Sequence, residues 1–95
     1  MTDDVISRQT IFPEGPAALA GLLEPALAQA AGPDAEPVSL TIDYGLAAQP
    51  GAAVNVEAGV DRATRTLVFA YGRVLNGEGA VLATGAAVFR RVKAR

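Results

Sequence analysis

Apolar and polar residues alternate along much of the chain, which is the pattern of half-buried antiparallel strands. Val38, Leu40, Ile42 and Tyr44 are separated by polar residues, and residues 54–60 repeat the same period of two. Two longer apolar segments follow, and the turn sequence NGEG at 76–79 between them predicts a hairpin. Strands are predicted over residues 5–12, 38–44, 54–60, 64–75 and 80–92.

Residues 17–31, AALAGLLEPALAQAA, predict a helix that is apolar nearly all round, because Glu24 and Gln29 are its only strongly polar side chains. Pro16 suits the first helical position, and Gly32-Pro33-Asp34 predicts the end. Fifteen residues span about 22 Å, less than the roughly 30 Å hydrocarbon core of a bilayer. We therefore expect a core helix that the rest of the protein encloses on most sides.

Small residues occupy core-facing positions in the last two predicted strands, where larger side chains would otherwise pack better. Such residues are expected where a sheet curves and a helix approaches it closely. The four positions are Ala70, Gly72, Ala83 and Gly85. No repeat and no linker interrupts the order strand, helix, four strands, which predicts one α+β domain over residues 1–95.

The composition excludes several kinds of chemistry. The chain of 95 residues is 51% hydrophobic and 19% charged, as in folded globular domains, and it contains neither cysteine nor histidine. Imidazole catalysis and the usual zinc ligands are therefore excluded, and we expect neither a metal site nor a cofactor.

Charge divides the chain into two parts. Residues 1–61 carry nine acids and one base, a formal charge of −8, whereas residues 62–95 carry seven bases and one acid, a formal charge of +6. The two parts are expected to attract each other or to meet oppositely charged partners.

Neither a membrane nor a nucleic acid is an expected partner. The opening MTDDVISRQ lacks the positive and then apolar segments of a secretory signal, so we expect a cytoplasmic protein. The basic end FRRVKAR has no interleaved aromatic residues beyond its first, and the net charge is −2, which leaves stacking and phosphate attraction little to build on.

The predicted order of elements resembles the hotdog fold, in which a curved five-stranded antiparallel sheet wraps around one long central helix. Residues 54–92, VNVEAGVDRATRTLVFAYGRVLNGEGAVLATGAAVFRRV, are similar to the last three strands of the small bacterial acyl-CoA thioesterases. Those strands follow one another through an Arg- or Gly-containing turn and a glycine turn, and the last ends in Phe plus a basic residue. The related dehydratases use a histidine, which this chain lacks.

The resemblance implies a catalytic carboxylate. One branch of the family carries it about two turns into the helix, where Glu24 stands, and another carries it in the preceding loop, where Glu14 stands. A carboxylate on a buried apolar helix is costly unless it is paired, hydrated or used, which also singles out Glu24. Alternatively, Glu24 lies at a dimer interface or on a solvent-facing strip, and Glu14 is an ordinary favourable charge before a helix.

The resemblance also implies a binding site between two subunits. Free backbone N–H groups at the start of the helix, from Gly15, Ala17 or Ala18, would polarise the thioester carbonyl. Basic residues at the end of the sheet would bind the phosphates of coenzyme A, or they form a solvated edge that prevents aggregation. These residues are Arg62, Arg65, Arg90 and Arg91.

Two departures from the family leave two functions open. The segment FPEGPAAL has no His or Asn before the helix, and Pro25 follows Glu24 and removes the helical bond to the Gly21 carbonyl. The protein is then either a thioesterase that cleaves a small or medium acyl-CoA, or a catalytically silent subunit that binds an acyl-CoA or another apolar ligand. In both cases we expect a homodimer or a dimer of dimers.

Overall fold

A computed structural model describes residues 5–92, in which one helical segment follows the first of five strands. The strands are β1 (Ile6–Ile11), β2 (Ala35–Tyr44), β3 (Ala53–Ala63), β4 (Leu67–Leu75) and β5 (Val81–Arg91). A 3-10 turn, Pro16–Leu19, leads directly into the helix α1 (Ala20–Ala31). All the predicted elements are present. Strands β2 and β3 each extend three residues beyond one predicted end, because neighbouring strands pair with these residues as well.

The strands form one antiparallel sheet in the order β1-β3-β4-β5-β2, so that β1 and β2 are its edges. The helical segment connects the two edge strands and therefore crosses one face of the sheet. It starts at the end of the sheet where β1 and β2 end, and it finishes where β2 begins. Register shifts at Pro37–Ser39 in β2 and Val60–Arg62 in β3 bend the sheet.

The helix packs closely on the sheet because two glycines face it. Gly72 and Gly85 lie opposite each other on β4 and β5. A Cβ atom at Gly85 would lie 3.3 Å from Leu23 Cδ1, and one at Gly72 would lie 3.3 Å from Cδ2 of both Leu23 and Leu27. Both leucines are fully buried. The structure thus confirms the prediction that small residues in these strands make room for a helix.

Leucines four residues apart form the apolar row of the helix. Leu19, Leu23 and Leu27 are buried against valines of β3 and β4 and against Phe89 of β5. Burial of each leucine side chain contributes about 1.5–3 kcal/mol to the free energy of unfolding. This row is the main contact that attaches the helix to the sheet.

The opposite flank of the helix is exposed, so the expectation of a helix enclosed on most sides is wrong for the single chain. The sheet covers one face, and the helix in turn lies mainly over β3 and β4. Alanine, glycine and proline make a segment apolar without requiring burial. The apolar pattern therefore predicted more burial of the helix than the structure has. The exposed residues are Ala17, Ala18, Gly21, Glu24, Pro25, Ala28 and Gln29. Within residues 5–92 no helix is long and apolar enough to cross a membrane.

Turn residues end the elements where they were predicted to. Gly32, with φ +109°, ends the helix, and Gly79, with φ +86°, lies in the β4–β5 hairpin. In that hairpin the Asn76 side-chain oxygen accepts the N–H groups of Glu78 and Ala80, both at 2.9 Å. The predicted hairpin turn is therefore confirmed.

Within residues 5–92, two ion pairs join the acidic and basic parts of the chain. Arg73 Nε lies 3.0 Å from Glu57 Oε1, and Arg90 Nη2 lies 3.4 Å from Glu36 Oε1. The expected attraction is present, but both pairs are reached by solvent, and each contributes only about 0.2–1 kcal/mol.

Replacing Gly85 by valine tests the close packing of the helix. The added methyl groups would enter the space of the Leu23 side chain, and overpacking of this kind costs about 1–3 kcal/mol of unfolding free energy. Gly21→Ala is the matched control: Gly21 is exposed, nothing lies within 4 Å of its added Cβ, and removing a helical glycine stabilises by about 0.5–1 kcal/mol. Urea denaturation measures both, and equal stability of the two variants would contradict this packing.

Candidate functional site

A cavity of about 190 Å³ lies at the start of the helical segment, beneath the loop between β2 and β3. Its floor is apolar, because Phe12, Leu19 and Leu82 line it and each is 6% exposed or less. Glu14 and Gly15 also line the cavity, and Glu14 is the only carboxylate among its lining residues. The structure therefore places two of the predicted site residues, Glu14 and Gly15, in the lining of a cavity with an apolar floor.

The loop over this cavity, residues 45–52, is hydrogen-bonded to the floor at both ends. The Gly45 N–H donates to the Leu82 carbonyl at 2.8 Å, and the Gly51 N–H donates to the Phe12 carbonyl at 2.8 Å. Both acceptors belong to residues that form the floor. The shape of the cavity is thus determined by backbone bonds as well as by side chains.

The backbone amides at the start of the helix differ in their availability. The Ala18 N–H donates to the Gly15 carbonyl at 3.0 Å, so it is not free, contrary to expectation. Among residues 5–92, the N–H groups of Gly15 and Ala17 have no hydrogen-bond acceptor. These two amides remain candidates for binding a carbonyl oxygen.

Glu24 lies on the exposed flank of the helix, so the burial that singled it out is absent from the single chain. Its side chain forms no hydrogen bond or ion pair with the described residues 5–92. Glu24 lies eight positions after Pro16, which places it about 12 Å further along the helix. Glu24 and the free amides therefore do not reach the same carbonyl within one chain.

The direction in which Glu24 faces follows from a neighbour on the same helix. Gln29 Oε1 accepts a hydrogen bond from Arg8 Nη2 on β1 at 2.8 Å, so Gln29 faces the β1 edge. Five residues at about 100° each place Glu24 about 140° around the helix from Gln29. Glu24 thus faces the other edge of the sheet, where β2 lies.

The four predicted phosphate ligands lie at the end of the sheet remote from the cavity. Leu82 lines the cavity, and Arg90 follows eight residues later on the same strand, about 27 Å away. Within one chain the structure does not bring these arginines to the cavity. They are Arg62, Arg65, Arg90 and Arg91.

Three of these arginines already have partners within the chain. The Arg62 guanidinium lies 5.3 Å from the centre of the Phe69 ring, and Arg91 Nε donates to the Thr64 carbonyl at 3.2 Å. Arg90 pairs with Glu36, as described above. Arg65 lies exposed in the turn between β3 and β4. Because all these contacts are at the surface, the guanidinium groups can still contact an anion.

Sequence reasoning missed a continuous apolar surface along β2. Leu40 pairs with Ala87 and Tyr44 pairs with Ala83 on β5. Both partners are two residues from Gly85, which faces the helix, so Leu40 and Tyr44 lie on the face of the sheet that carries the helix. The helix does not cover them. Together with Val38 they form what we name the β2 surface, whose members are 37–57% exposed. Alternation along β2 predicted a buried face but not that the helix would leave it uncovered.

A larger and more open groove, of about 400 Å³, is lined by residues of β1, β3 and the β4–β5 turn. None of the predicted site residues lines it. Its amides from Asn55 and Asn76 are already bonded to Ser7, Glu57 and the backbone of the turn. The groove is therefore a poorer candidate than the cavity at the start of the helix.

No family model and no curated protein matches the chain. Solved structures do match it, at low sequence identity. Zebra fish thioesterase superfamily member 2 is 21% identical with a TM-score of 0.83, over 96% of this chain and 77% of that one. The Escherichia coli PaaI protein from the phenylacetic acid degradation operon is 16% identical with a TM-score of 0.84, over 94% and 73% of the two chains.

A third match is the Streptococcus mutans protein smu.793, whose crystal structure contains acetyl-CoA. It is 14% identical with a TM-score of 0.82, over 96% of this chain and 83% of that one. Similarity at these identities establishes the fold. The chain has the hotdog fold of thioesterase-superfamily proteins, as the sequence resemblance implied.

Replacing Gly45 by alanine tests how the loop is attached to the cavity. An added Cβ would lie 2.7 Å from the Val81 carbonyl oxygen, which is backbone and cannot move aside easily, so we expect a loss of about 1–3 kcal/mol. Gly77→Ala is the control, because nothing lies within 4 Å of its added Cβ. Thermal unfolding compares the two, and an unchanged melting temperature for Gly45→Ala would contradict the contact.

Proposed function

We propose that the protein is an acyl-CoA thioesterase that works as a homodimer and holds the acyl group in the cavity at the start of the helix. The observation that supports this most directly is a cavity whose lining combines a buried apolar floor, the carboxylate of Glu14 and the free amide of Gly15. The free amide of Ala17 follows two residues later in the chain. Apolar residues suit an acyl chain, and two amides can stabilise the oxyanion formed from a thioester carbonyl. The acetyl-CoA in the S. mutans neighbour is consistent with such a ligand.

The β2 surface supports the dimer. The part of the edge strand β2 from Val38 to Tyr44 has exposed apolar side chains and neither proline nor lysine, so it is a template for pairing with another strand. Two copies related by a two-fold axis would pair their β2 strands antiparallel and bury this surface between them. The residues beside it on the exposed helix flank would then be covered as well.

Antiparallel pairing would also bring two of the four arginines, Arg90 and Arg91, near a cavity. It places the Ala35 end of β2 in one copy beside the Tyr44 end in the other, and Tyr44 lines the cavity. Arg90 and Arg91 pair with Glu36 and Ala35 on β2. Arg90 and Arg91 of the second copy would then lie about two strand spacings, roughly 10 Å, from the cavity of the first copy. There they can bind the phosphates of coenzyme A while the acyl group fills the cavity.

We propose Glu24 as the reacting carboxylate, acting across the interface, because it faces β2 and is too far from the free amides of its own chain. Glu14 is the alternative, acting within its own chain. The carboxylate removes a proton from water as the water oxygen bonds to the thioester carbon. The oxyanion that forms accepts hydrogen bonds from the two amide N–H groups. It then collapses, the carbon–sulfur bond breaks, and the thiolate takes the proton to give coenzyme A and a carboxylic acid.

Separate glutamine substitutions identify the carboxylate. Glu24→Gln should lower kcat about 10²- to 10⁴-fold, the range for loss of a general base, whereas Glu14→Gln should remain within a few-fold of wild type. Release of free thiol from acyl-CoA measures both, with urea denaturation to show that each variant is folded. Unaltered turnover in Glu24→Gln would remove Glu24 from the mechanism.

Mixed dimers test whether the site is shared between chains. Glu24→Gln leaves the cavity intact, and Leu46→Arg blocks the cavity but keeps Glu24. After unfolding and refolding together, about a quarter of wild-type activity should return, because half of the dimers are mixed and each holds one complete site. Recovery of no activity would place the carboxylate and the cavity in the same chain.

A lysine on the β2 surface tests the dimer. Leu40→Lys would bury a charge in the interface and should yield a monomer by light scattering after size exclusion. Gln9→Lys is the matched control on the other edge strand, where Gln9 is already exposed, and it should keep the mass of the wild-type dimer. A wild-type protein that is monomeric at all concentrations would contradict the dimer.

A silent binding subunit remains the second candidate, supported by the occupied amide of Ala18 and by the lack of any contact that orients Glu24 in the described part of the chain. In this case acyl-CoA should raise the melting temperature without any release of thiol. Hydrolysis that is lost in Glu24→Gln would exclude it.

A further inference from the structure

The cavity at the start of the helix also limits the acyl group that the protein can accept. Resting on the proposed acyl-CoA function, we propose that the substrate class is neutral, short acyl groups of up to about six carbons or one aromatic ring. Carbons beyond this limit add no affinity, and acyl groups that end in a carboxylate are disfavoured. Leu19 in the floor and Leu46 in the outer wall determine this limit.

The volume sets the length. The cavity measures about 190 Å³. A dry apolar cavity of about 150 Å³ holds benzene, and a group the size of a water molecule or a methylene fills about 30 Å³. The available space therefore corresponds to one ring with a methylene, or to roughly six carbons in a chain.

The floor of the cavity, formed by Phe12, Leu19 and Leu82, cannot move aside for a longer acyl chain. Leu19 belongs to the same helical row as Leu23 and Leu27, and Leu82 is buried in β5 beside it. Because interiors are close-packed, moving Leu19 would disturb the contact between helix and sheet. The hydrogen bonds of the loop to Phe12 and Leu82 hold the roof over this floor.

The outer wall of the cavity, formed by Leu46, is the part of the lining that can be changed by substitution. Leu46 is 61% exposed and lines the cavity from the loop, so a larger side chain there can fill space without disturbing the core. The charge of the lining adds a second selection. It contains Glu14 and no basic residue, so a second carboxylate on the acyl group would meet repulsion with no compensating cation in the lining itself.

Thioether analogues of coenzyme A separate this proposal from the catalytic one, because they cannot be hydrolysed. Calorimetry with S-ethyl to S-hexadecyl coenzyme A should show affinity rising about three- to four-fold per methylene up to roughly six carbons, and then no further rise. Hydrolysis of the matching acyl-CoA series, with succinyl-CoA included, should show the same limit in kcat/KM. Succinyl-CoA should fall well below butyryl-CoA.

Two tryptophan variants test the role of the wall. Leu46→Trp should lower the length limit to about four carbons, since the larger ring occupies part of the cavity. Val60→Trp is the control, because Val60 is exposed near the opposite end of β3 and lines neither the cavity nor the β2 surface. Its length profile should equal that of wild type.

The outcomes distinguish the two proposals. Affinity that keeps rising through dodecyl, or a Leu46→Trp profile equal to wild type, would overturn the length limit while leaving the acyl-CoA function in place. If no analogue binds and no acyl-CoA is cleaved, the proposed function and the length limit both fail.

Discussion

The contact on which the whole structure depends is that of Leu23 and Leu27 with the glycine pair Gly72 and Gly85. Because the two glycines carry no side chains, the leucines lie against the backbone of the central strands and the helix sits low on the sheet. This contact determines where the helix lies on the sheet. It thereby also determines the position of Leu19, which lies one helical turn before Leu23. Leu19 forms the floor of the cavity, so the core packing and the candidate site share one row of side chains.

The same close contact explains why one edge strand stays uncovered in the single chain. A helix that lies over β3 and β4 cannot also cover β2, so Leu40 and Tyr44 remain exposed on the face where a core would be expected. The exposed flank of small helical residues adjoins this uncovered strand. The free amides and the cavity lie at one end of the sheet and the arginines at the other. The antiparallel dimer that we propose would bring these unlike ends together.

The candidate site shows how far residue types alone can be interpreted. Glu14 lies at the cavity because the chain must turn there from β1 into the helix, and this was accessible from the sequence. Glu24 was singled out by the cost of burying a carboxylate, yet it is exposed, since alanines on the same flank do not need to be covered. Ala18 was expected to offer a free amide, but the 3-10 turn uses that amide for its own hydrogen bond to Gly15.

The sequence by itself determined the elements, their order and the closeness of the helix to the sheet. Period-two alternation, the segment 17–31 and the glycines of the last two strands are local signals, and local propensity with side-chain size is enough to interpret them. Only the tertiary structure decided which flank of the helix is covered, that β2 is an uncovered edge and that Leu82 and Arg90 lie at opposite ends of the fold. Those facts depend on strand order and on contacts between residues far apart in the chain, which no periodicity records.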